Sequence, residues 1–391
     1  MRGITLPLAL GQTIIWAASF YLLPALLPAL EAGTDWSKAH ITGALTVALL
    51  VSATAAPFVG RGIDLGFGRT IMVTSMACTG LLLLVFSFAD NLWLLYGCWF
   101  GIGLCMAGML YEPCFAIVTR HYGADARRVI THITLVAGFA GTLSFPINNY
   151  LSAEFSWQIA VRFFAFAALL LALPLSWVSL GKLYKALPIA PPKLTPPTFK
   201  TTRNRALFWS LALAFTLGGL NHGMVIAHLL PMLAERGMSQ NLAVIAAMLI
   251  GPMQVLGRFI FMLFGNKTSS KTTALICLGG MALAAALLWA ANASAPLIFL
   301  ATAIQGGTWG LVSITKPTII REMLGQVNFG VISGQLASVF TFGIALAPFF
   351  GTFLWGIGGY DLMLVFGFSF AVTGIVLLYV AFNVKTAAAS N

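Results

Sequence analysis

Long apolar runs separated by short polar connections make up almost the whole sequence. Of its 391 residues, 59% are hydrophobic and only 8% are charged, whereas a soluble domain carries about 25% charged residues. An apolar run of about 20 residues predicts a membrane-spanning helix, because lipid offers the backbone no hydrogen-bond partners. We therefore predict an all-α polytopic membrane protein with twelve spans. Numbered in chain order, they are 4–30, 39–60, 70–88, 92–119, 129–152, 158–180, 206–234, 240–264, 272–291, 296–320, 328–355 and 360–383.

The basic residues follow the alternation of the connections. Sixteen of the 21 Lys and Arg residues lie at the termini or in the even-numbered connections. The positive-inside rule then predicts that both termini are cytoplasmic. Because the first apolar run is too long for a signal peptide, we expect the first span to remain in the inner membrane of a bacterium. The net charge of +11 is thus explained by membrane topology, and we expect no nucleic-acid partner.

The sequence repeats itself after about half its length. Gly60-Arg61 matches Gly257-Arg258, and both pairs lie at or near the end of an even-numbered span. Further matches pair Gly11 and Pro24 with Gly218 and Pro231, Phe67-Gly68 with Phe264-Gly265, Glu112-Pro113 with Lys316-Pro317, and Gly141 and Pro146 with Gly343 and Pro348. We predict two pseudo-symmetric six-helix bundles, 1–180 and 206–391, joined by a proline-rich basic cytoplasmic linker at 181–205. Transporters built from parallel repeats bind substrate between the halves, near mid-membrane.

The full chain resembles the major facilitator superfamily. Gly60, Asp64 and Arg69 fit the motif that this family carries after span 2, although Leu65 and Thr70 replace two of its usual basic residues. The resemblance implies that Gly60, Asp64 and Arg69 brace the cytoplasmic helix ends and serve gating. The alternative is a turn that only satisfies helix ends. Outside this motif, Arg162 either closes the outer side or extends to the lipid interface.

Ionisable residues within spans are costly and usually functional. Glu112 and Lys316 occupy equivalent repeat positions with opposite charges. The resemblance places them across a central cavity. We hypothesise that they pair when the cytoplasmic side closes, that Lys316 also binds an anionic substrate, and that Glu112 carries the proton. A fixed ion pair is the alternative. His222 is a second candidate proton carrier and a substrate contact, or a packing residue; His228 is a weaker candidate.

Other polar and aromatic side chains within spans are candidate substrate contacts. They are Gln12, Trp16, Tyr21, Asn221, Arg258, Gln305 and Trp309. Packing is the alternative for the aromatic residues, and a gate or scaffold for Arg258. The five cysteines lack metal-ligand spacing, so we expect no metal and no cofactor.

The chain also shows a weaker similarity to the monocarboxylate and oxalate–formate transporter branch. Glu112-Pro113, Arg120, Arg127-Arg128 and Gln254-x₃-Arg258 carry this similarity, with Gln254 replacing an aspartate. From the cavity charges, with Lys316, His222 and Arg258 against one acid, Glu112, we expect a monomeric, proton-coupled secondary transporter of a small, monocarboxylate-like organic anion. Proton-driven drug efflux is the alternative within transport, and a receptor-like or scaffolding membrane protein is the alternative outside it. We expect no enzyme, because no soluble domain, nucleotide loop or Ser/His/Asp arrangement is present.

Overall fold

The computed structural model describes residues 2–187, 202–265, 268–292, 294–325 and 328–386. Ten helices in these ranges are long and apolar enough to cross a membrane. Two of them, Lys38–Phe86 with 49 residues and Phe329–Asn383 with 55 residues, are each long enough for two crossings. At about 1.5 Å per residue either helix would exceed twice the about 30 Å hydrocarbon core. Both are interrupted at glycines with positive φ, at Gly66 (96°) and Gly359 (69°). The twelve predicted spans are confirmed.

The helices have the following bounds. Span 1 comprises Arg2–Ala18 and Leu22–Gly33, span 2 Lys38–Gly62, span 3 Gly68–Phe86, span 4 Leu92–Met109 and Tyr111–Tyr122, span 5 Ala126–Ala137 and Ala140–Glu154, and span 6 Trp157–Ala167 and Leu173–Ala186. Spans 7 to 10 are Thr202–Glu235, Gln240–Phe264, Ser270–Ala291 and Ala295–Leu324, while spans 11 and 12 are the two parts of Phe329–Thr386. Short π-helical turns, Ile63–Phe67 and Ala168–Ala172, connect spans 2 and 3 and join the parts of span 6.

Backbone contacts divide the chain into two compact units. The N-unit comprises Met1–Pro197 and Gln326–Ser338, and the C-unit comprises Thr198–Gly325 and Val339–Asn391. Residues 188–201 of the predicted linker lie outside the described residues. The ends predicted for this linker differ from the structure, because helix extends through Ala186 on one side and begins at Thr202 on the other.

Spans 1, 4 and 5 are interrupted helices, where the sequence predicted continuous ones. In span 4, Leu110 is extended (φ −80°, ψ −159°). Three residues later, Pro113 has no N–H to donate to the Met109 carbonyl four residues back. The side chain of Gln12 in span 1 supplies that donor, with its Nε2 2.8 Å from the Met109 oxygen. A buried break in one span is thus satisfied by a polar side chain of another.

The break in span 1 is compensated in the same way. The Tyr21 N–H bonds to the Trp16 carbonyl (3.2 Å), five residues back, instead of to the Ala17 carbonyl. Ser144 Oγ in span 5 donates to the Ala17 oxygen at 3.0 Å, and Asn148 Nδ2 donates to Ser144 Oγ at 3.1 Å. The side chains of Ser144 and Asn148 are fully buried. Together these bonds connect span 5 to the broken part of span 1.

Small residues allow close helix crossings within each unit. A Cβ at Gly103 in span 4 would collide with the backbone of Ala48 in span 2. In the C-unit, a Cβ at Gly310 in span 10 would collide with the backbone of Gln254 in span 8. Membrane helices commonly pack through small residues because backbones can then approach closely. Spans 2 and 4 therefore cross much as spans 8 and 10 do, which agrees with the internal repeat.

Candidate transport site and gating turn

The turn between spans 2 and 3 holds a carboxylate at the start of another helix. Asp64 Oδ1 accepts the Gly330 N–H at 2.9 Å, and Oδ2 accepts the Val331 N–H at 2.8 Å. That helix begins at Phe329, so the two donors belong to its first turn and have no partner within the helix. A negative charge at this end is also favoured by the helix dipole. Asp64 therefore acts as an N-terminal cap supplied from a distant part of the sequence.

Gly60 makes this contact possible. A Cβ at Gly60 would overlap the carbonyl of Gly330, and a Cβ at Gly330 would in turn meet the Gly60 carbonyl and the Asp64 carboxylate. The obstructing atoms belong largely to the backbone, which cannot rotate away as a side chain can. Because Gly60 and Asp64 are close in sequence, the same segment both crosses the helix that begins at Phe329 and caps its first turn.

Two arginines hold the same turn to neighbouring helices. Arg120, in the last turn of span 4, donates through Nη1 to the Ile63 carbonyl. The Arg69 guanidinium lies 4.3 Å from the centre of the Trp177 ring in span 6, within the range of a cation–π contact. The Arg69 backbone N–H donates to the Tyr184 hydroxyl at 3.2 Å. The sequence motif predicted a role for Arg69 in this turn. It gave no indication of the Arg120 contact, because Arg120 was only one member of a cluster of basic residues.

Arg162 lies at the opposite end of the N-unit. Its Nε donates to Ser87 Oγ at 3.0 Å, and its guanidinium lies 4.7 Å from the centre of the Phe88 ring. Both partners follow the end of span 3. The side chain therefore ties span 6 to the end of span 3.

Glu112 lines a crevice of the N-unit beside the turn between spans 2 and 3. It is half-buried, and the crevice is also lined by Gly60, Pro113, Gly330 and Ser333. The carboxyl group occupies the first turn of the second half of span 4, where free N–H groups favour an anion. Among the described residues that line this crevice, Glu112 is the only ionisable one, and it lies beside the contact made by Gly60.

Aromatic rings gather around the breaks of spans 1 and 4. Trp16 lies 4.5 Å from Tyr111 and 6.2 Å from Tyr21, measured between ring centres. Tyr111 stacks on Phe115 at 4.9 Å. Gln12 is fully buried, and its Oε1 has no hydrogen-bond partner within the described ranges. The predicted contacts of span 1 therefore lie together, with Tyr111 and Phe115 as members that sequence reasoning did not name.

Buried polar side chains of the C-unit are linked by a chain of hydrogen bonds. Asn221 Nδ2 in span 7 donates to the Gly367 carbonyl in span 12 at 2.9 Å. Gln305 Nε2 in span 10 donates to Asn221 Oδ1 at 3.0 Å and lies 3.2 Å from His222 Nδ1. Asn221, His222 and Gln305 are all buried. Three predicted residues thus form one network.

A stack of aromatic rings connects this network to Lys316. His222 stacks on Trp309 with ring centres 3.9 Å apart and planes 10° apart. Trp309 in turn lies 6.1 Å from Phe340, nearly parallel to it. Lys316 Nζ lies 3.8 Å from the centre of the Phe340 ring, and Lys316 is only 3% exposed. Phe340 was missed from the sequence because one phenylalanine among 30 carries no signal.

Arg258 and His228 make contacts within the C-unit. Arg258 is buried, and its Nε donates to the Gly310 carbonyl at 3.0 Å, joining span 8 to span 10. His228 Nε2 lies 3.0 Å from the Pro348 carbonyl of span 11. These contacts are compatible with scaffold roles, while substrate contact by Arg258 stays a prediction.

Comparison with known proteins decides the family. The model of the Major Facilitator Superfamily matches residues 8–336. This chain belongs to the Major Facilitator Superfamily. It is therefore a multi-pass membrane transporter that moves a small molecule, and the predicted fold class is confirmed. No curated protein matches the sequence.

Solved structures of superfamily members show the same fold. The human organic anion transporter MFSD10 (TETRAN) aligns with a TM-score of 0.73 at 16% identity, covering 96% of this chain and 99% of that one. A bacterial homologue of the iron transporter ferroportin, in an outward-facing state, aligns with a TM-score of 0.71 at 14% identity, covering 98% and 99%. At such identities the likeness concerns the fold alone. Similarity to the monocarboxylate branch stays a prediction.

Within the superfamily fold, the predicted site residues fall into separate groups. Gln12, Trp16 and Tyr21 lie in the N-unit, with Glu112 on a neighbouring span. Asn221, His222, Gln305, Trp309 and Lys316 lie in the C-unit. The hypothesised pairing of Glu112 with Lys316 joins the two units and stays a prediction. No cluster of three or more His, Cys, Asp or Glu side chains suited to a metal occurs in the part of the chain that the structure describes.

Proposed function

We propose that this superfamily member is a proton-coupled secondary transporter of a small organic anion. Its two halves, 1–180 and 206–391, alternate the access of the substrate from one side of the membrane to the other. It works as a monomer in the cytoplasmic membrane of a bacterium, with both termini in the cytoplasm. The positive-inside distribution of Lys and Arg supports this orientation.

The buried ammonium group of Lys316 carries the proposal. A charge within a membrane span is costly, and it usually marks a substrate or ion pathway. The Phe340 ring, with its centre 3.8 Å from Nζ, stabilises the buried cation. A buried positive charge of this kind is suited to attract an anion.

Uptake into proteoliposomes tests the substrate class. The probes are radiolabelled acetate, lactate and benzoate, with a lipophilic cationic drug as the contrasting probe. We expect uptake of at least one carboxylate, and Lys316→Ala should lower its kcat/KM roughly 10- to 100-fold, because a hydrogen bond to a charged group contributes about 1.5–3 kcal/mol.

Lys271→Ala is the matched control. Lys271 also lies over aromatic rings, 5.3 Å from the centres of Tyr379 and Phe382, but at the start of span 9. Its removal should leave uptake within about threefold of the wild type. Wild-type kinetics in the Lys316→Ala protein would refute the proposal.

Glu112 is the proposed proton carrier. We propose that the turn between spans 2 and 3 acts as a gate, and the half-buried Glu112 carboxyl group beside it then loses or gains access to water when the turn moves. Glu112→Gln should abolish stimulation of uptake by an inward proton gradient while substrate exchange continues. Glu154→Gln, at an exposed position at the end of span 5, is the control. Unchanged coupling in the Glu112→Gln protein would remove this residue from the role.

Proton-driven efflux of aromatic or cationic drugs is the second candidate. The cluster of Trp16, Tyr21, Tyr111 and Phe115 supports it, because aromatic faces attract cations and apolar ligands. Export of the cationic probe in exchange for protons, without carboxylate uptake, would favour this function.

A further inference from the structure

The Gly367 carbonyl fixes the orientation of two amide side chains. A carbonyl oxygen only accepts, so the Asn221 atom 2.9 Å from it is the amide nitrogen. Asn221 Oδ1 must then face the other way, towards Gln305. Because Oδ1 is also only an acceptor, the Gln305 atom 3.0 Å from it is the Nε2 amide. The usual ambiguity of amide orientation is thereby resolved by the network itself.

The same reasoning fixes the protonation of His222. Gln305 Nε2 lies 3.2 Å from His222 Nδ1 and can only donate, so Nδ1 must accept. A neutral imidazole with an accepting Nδ1 carries its proton on Nε2. A proton on Nδ1 would point at the Gln305 amide hydrogens. Stacking on Trp309 also holds the plane of the ring.

The Nε2–H edge is left for a ligand. Within the part of the chain that the structure describes, the only hydrogen bond of His222 is that to Gln305. The side chain retains 7% exposure. Beside it, the fully buried Gln305 Oε1 has no hydrogen-bond partner in the described ranges. A buried polar atom without a partner costs about 1–3 kcal/mol. Gln305 Oε1 can be satisfied only by a hydrogen-bond donor such as a hydroxyl group, whereas the His222 Nε2–H requires an acceptor oxygen.

We propose that the Gly367–Asn221–Gln305 chain fixes His222 as the neutral Nε2–H tautomer, and that this N–H donates to an oxygen atom of the transported anion. The second part rests on the proposed function. Asn221 is then a positioning residue, acting through Gln305, and His222 is a substrate contact. Glu112 remains the proton carrier. His222 could take up a further proton only on Nδ1, and that nitrogen already accepts the Gln305 Nε2–H.

Nitrogen NMR of the full protein with ¹⁵N-labelled histidine tests the tautomer without any substrate. His222→Gln identifies the His222 signals by their loss. We expect the attached proton on Nε2 in the wild-type protein, and a mixture of tautomers in Asn221→Leu. Asn148→Leu removes a buried amide of the N-unit and should leave the His222 signals unchanged. A proton on Nδ1 in the wild type, or no change in Asn221→Leu, would overturn the assignment.

Uptake of the carboxylate probes tests the substrate contact. A glutamine at 222 places an amide donor near the position of Nε2, while an asparagine does not reach it. His222→Gln should therefore keep KM within about threefold, whereas His222→Asn and Asn221→Leu should raise KM roughly five- to tenfold with little change in kcat. Equal losses in both His222 variants would overturn the donor role. If no carboxylate is transported, the proposed function and the contact both fall, while the NMR result still decides the tautomer.

Discussion

Replacing Asp64 by asparagine should release the turn between spans 2 and 3 from the helix that begins at Phe329. The substitution keeps the size of the side chain and one acceptor oxygen. It removes the charge and the second acceptor, so one of the two bonds to Gly330 and Val331 is lost. The amide group that replaces the second oxygen would also direct hydrogens at a backbone N–H. The substitution therefore removes one hydrogen bond and one negative charge from the contact between Asp64 and the Phe329 helix, while the side-chain volume stays almost the same.

The magnitude follows from these two bonds. Losing one hydrogen bond to a charged group costs about 1.5–3 kcal/mol. Asp64 is half-buried, and the helix dipole adds about 0.3–1 kcal/mol to this cost. The sum of about 2–4 kcal/mol corresponds to a roughly 30- to 700-fold shift in the opening equilibrium. Exchange of the Gly330 and Val331 amide hydrogens should accelerate by this factor.

Hydrogen–deuterium exchange with mass spectrometry measures this effect on peptides that contain residues 328–338. Asp90→Asn is the matched control, since it makes the same substitution at an exposed position beyond the far end of span 3. We expect faster exchange only in the Asp64 variant, together with a changed initial rate of uptake. Exchange at wild-type rates in that variant would show that the carboxylate does not hold the helix, and the reasoning would fail.

Two further substitutions test the packing around the site. Gly60→Ala should lower both the thermal stability and the uptake rate, because its Cβ would overlap the Gly330 carbonyl. Gly97→Ala, at a position with open space, is the control and should leave the Tm in a detergent melting assay unchanged. Equal Tm values for the two variants would contradict this reasoning. Gln12→Leu should lower the free energy of unfolding by about 1–3 kcal/mol, because the Met109 carbonyl would lose the donor that replaces the missing proline N–H. An unchanged denaturation midpoint would show that this carbonyl finds another donor.

Residues that the sequence repeat matched between the two halves do not all make the same contacts. Gly60 and Gly257 are matched in sequence, yet a Cβ at Gly60 meets Gly330 while one at Gly257 meets Gly307. Arg258 is buried against Gly310, whereas its sequence counterpart Arg61 is exposed. The crossing of Gly103 on Ala48 recurs as that of Gly310 on Gln254, at offsets of 207 (310 − 103) and 206 (254 − 48) residues, whereas Gly60 and Gly257 differ by 197 (257 − 60). The match of Gly60 with Gly257 therefore does not join equivalent positions of the fold, and their contacts differ for that reason.

By itself, the sequence determined the number of spans and their approximate ends. Lipid requires about 20 apolar residues for each crossing, and that requirement is local and visible in composition. Only the tertiary structure decided which groups compensate for each break. The Met109 carbonyl is satisfied by Gln12, and the first turn of span 11 is capped by Asp64, 266 residues before Gly330. Such partners are brought together by helix packing, and one sequence alone carries no local signal of a contact across that distance.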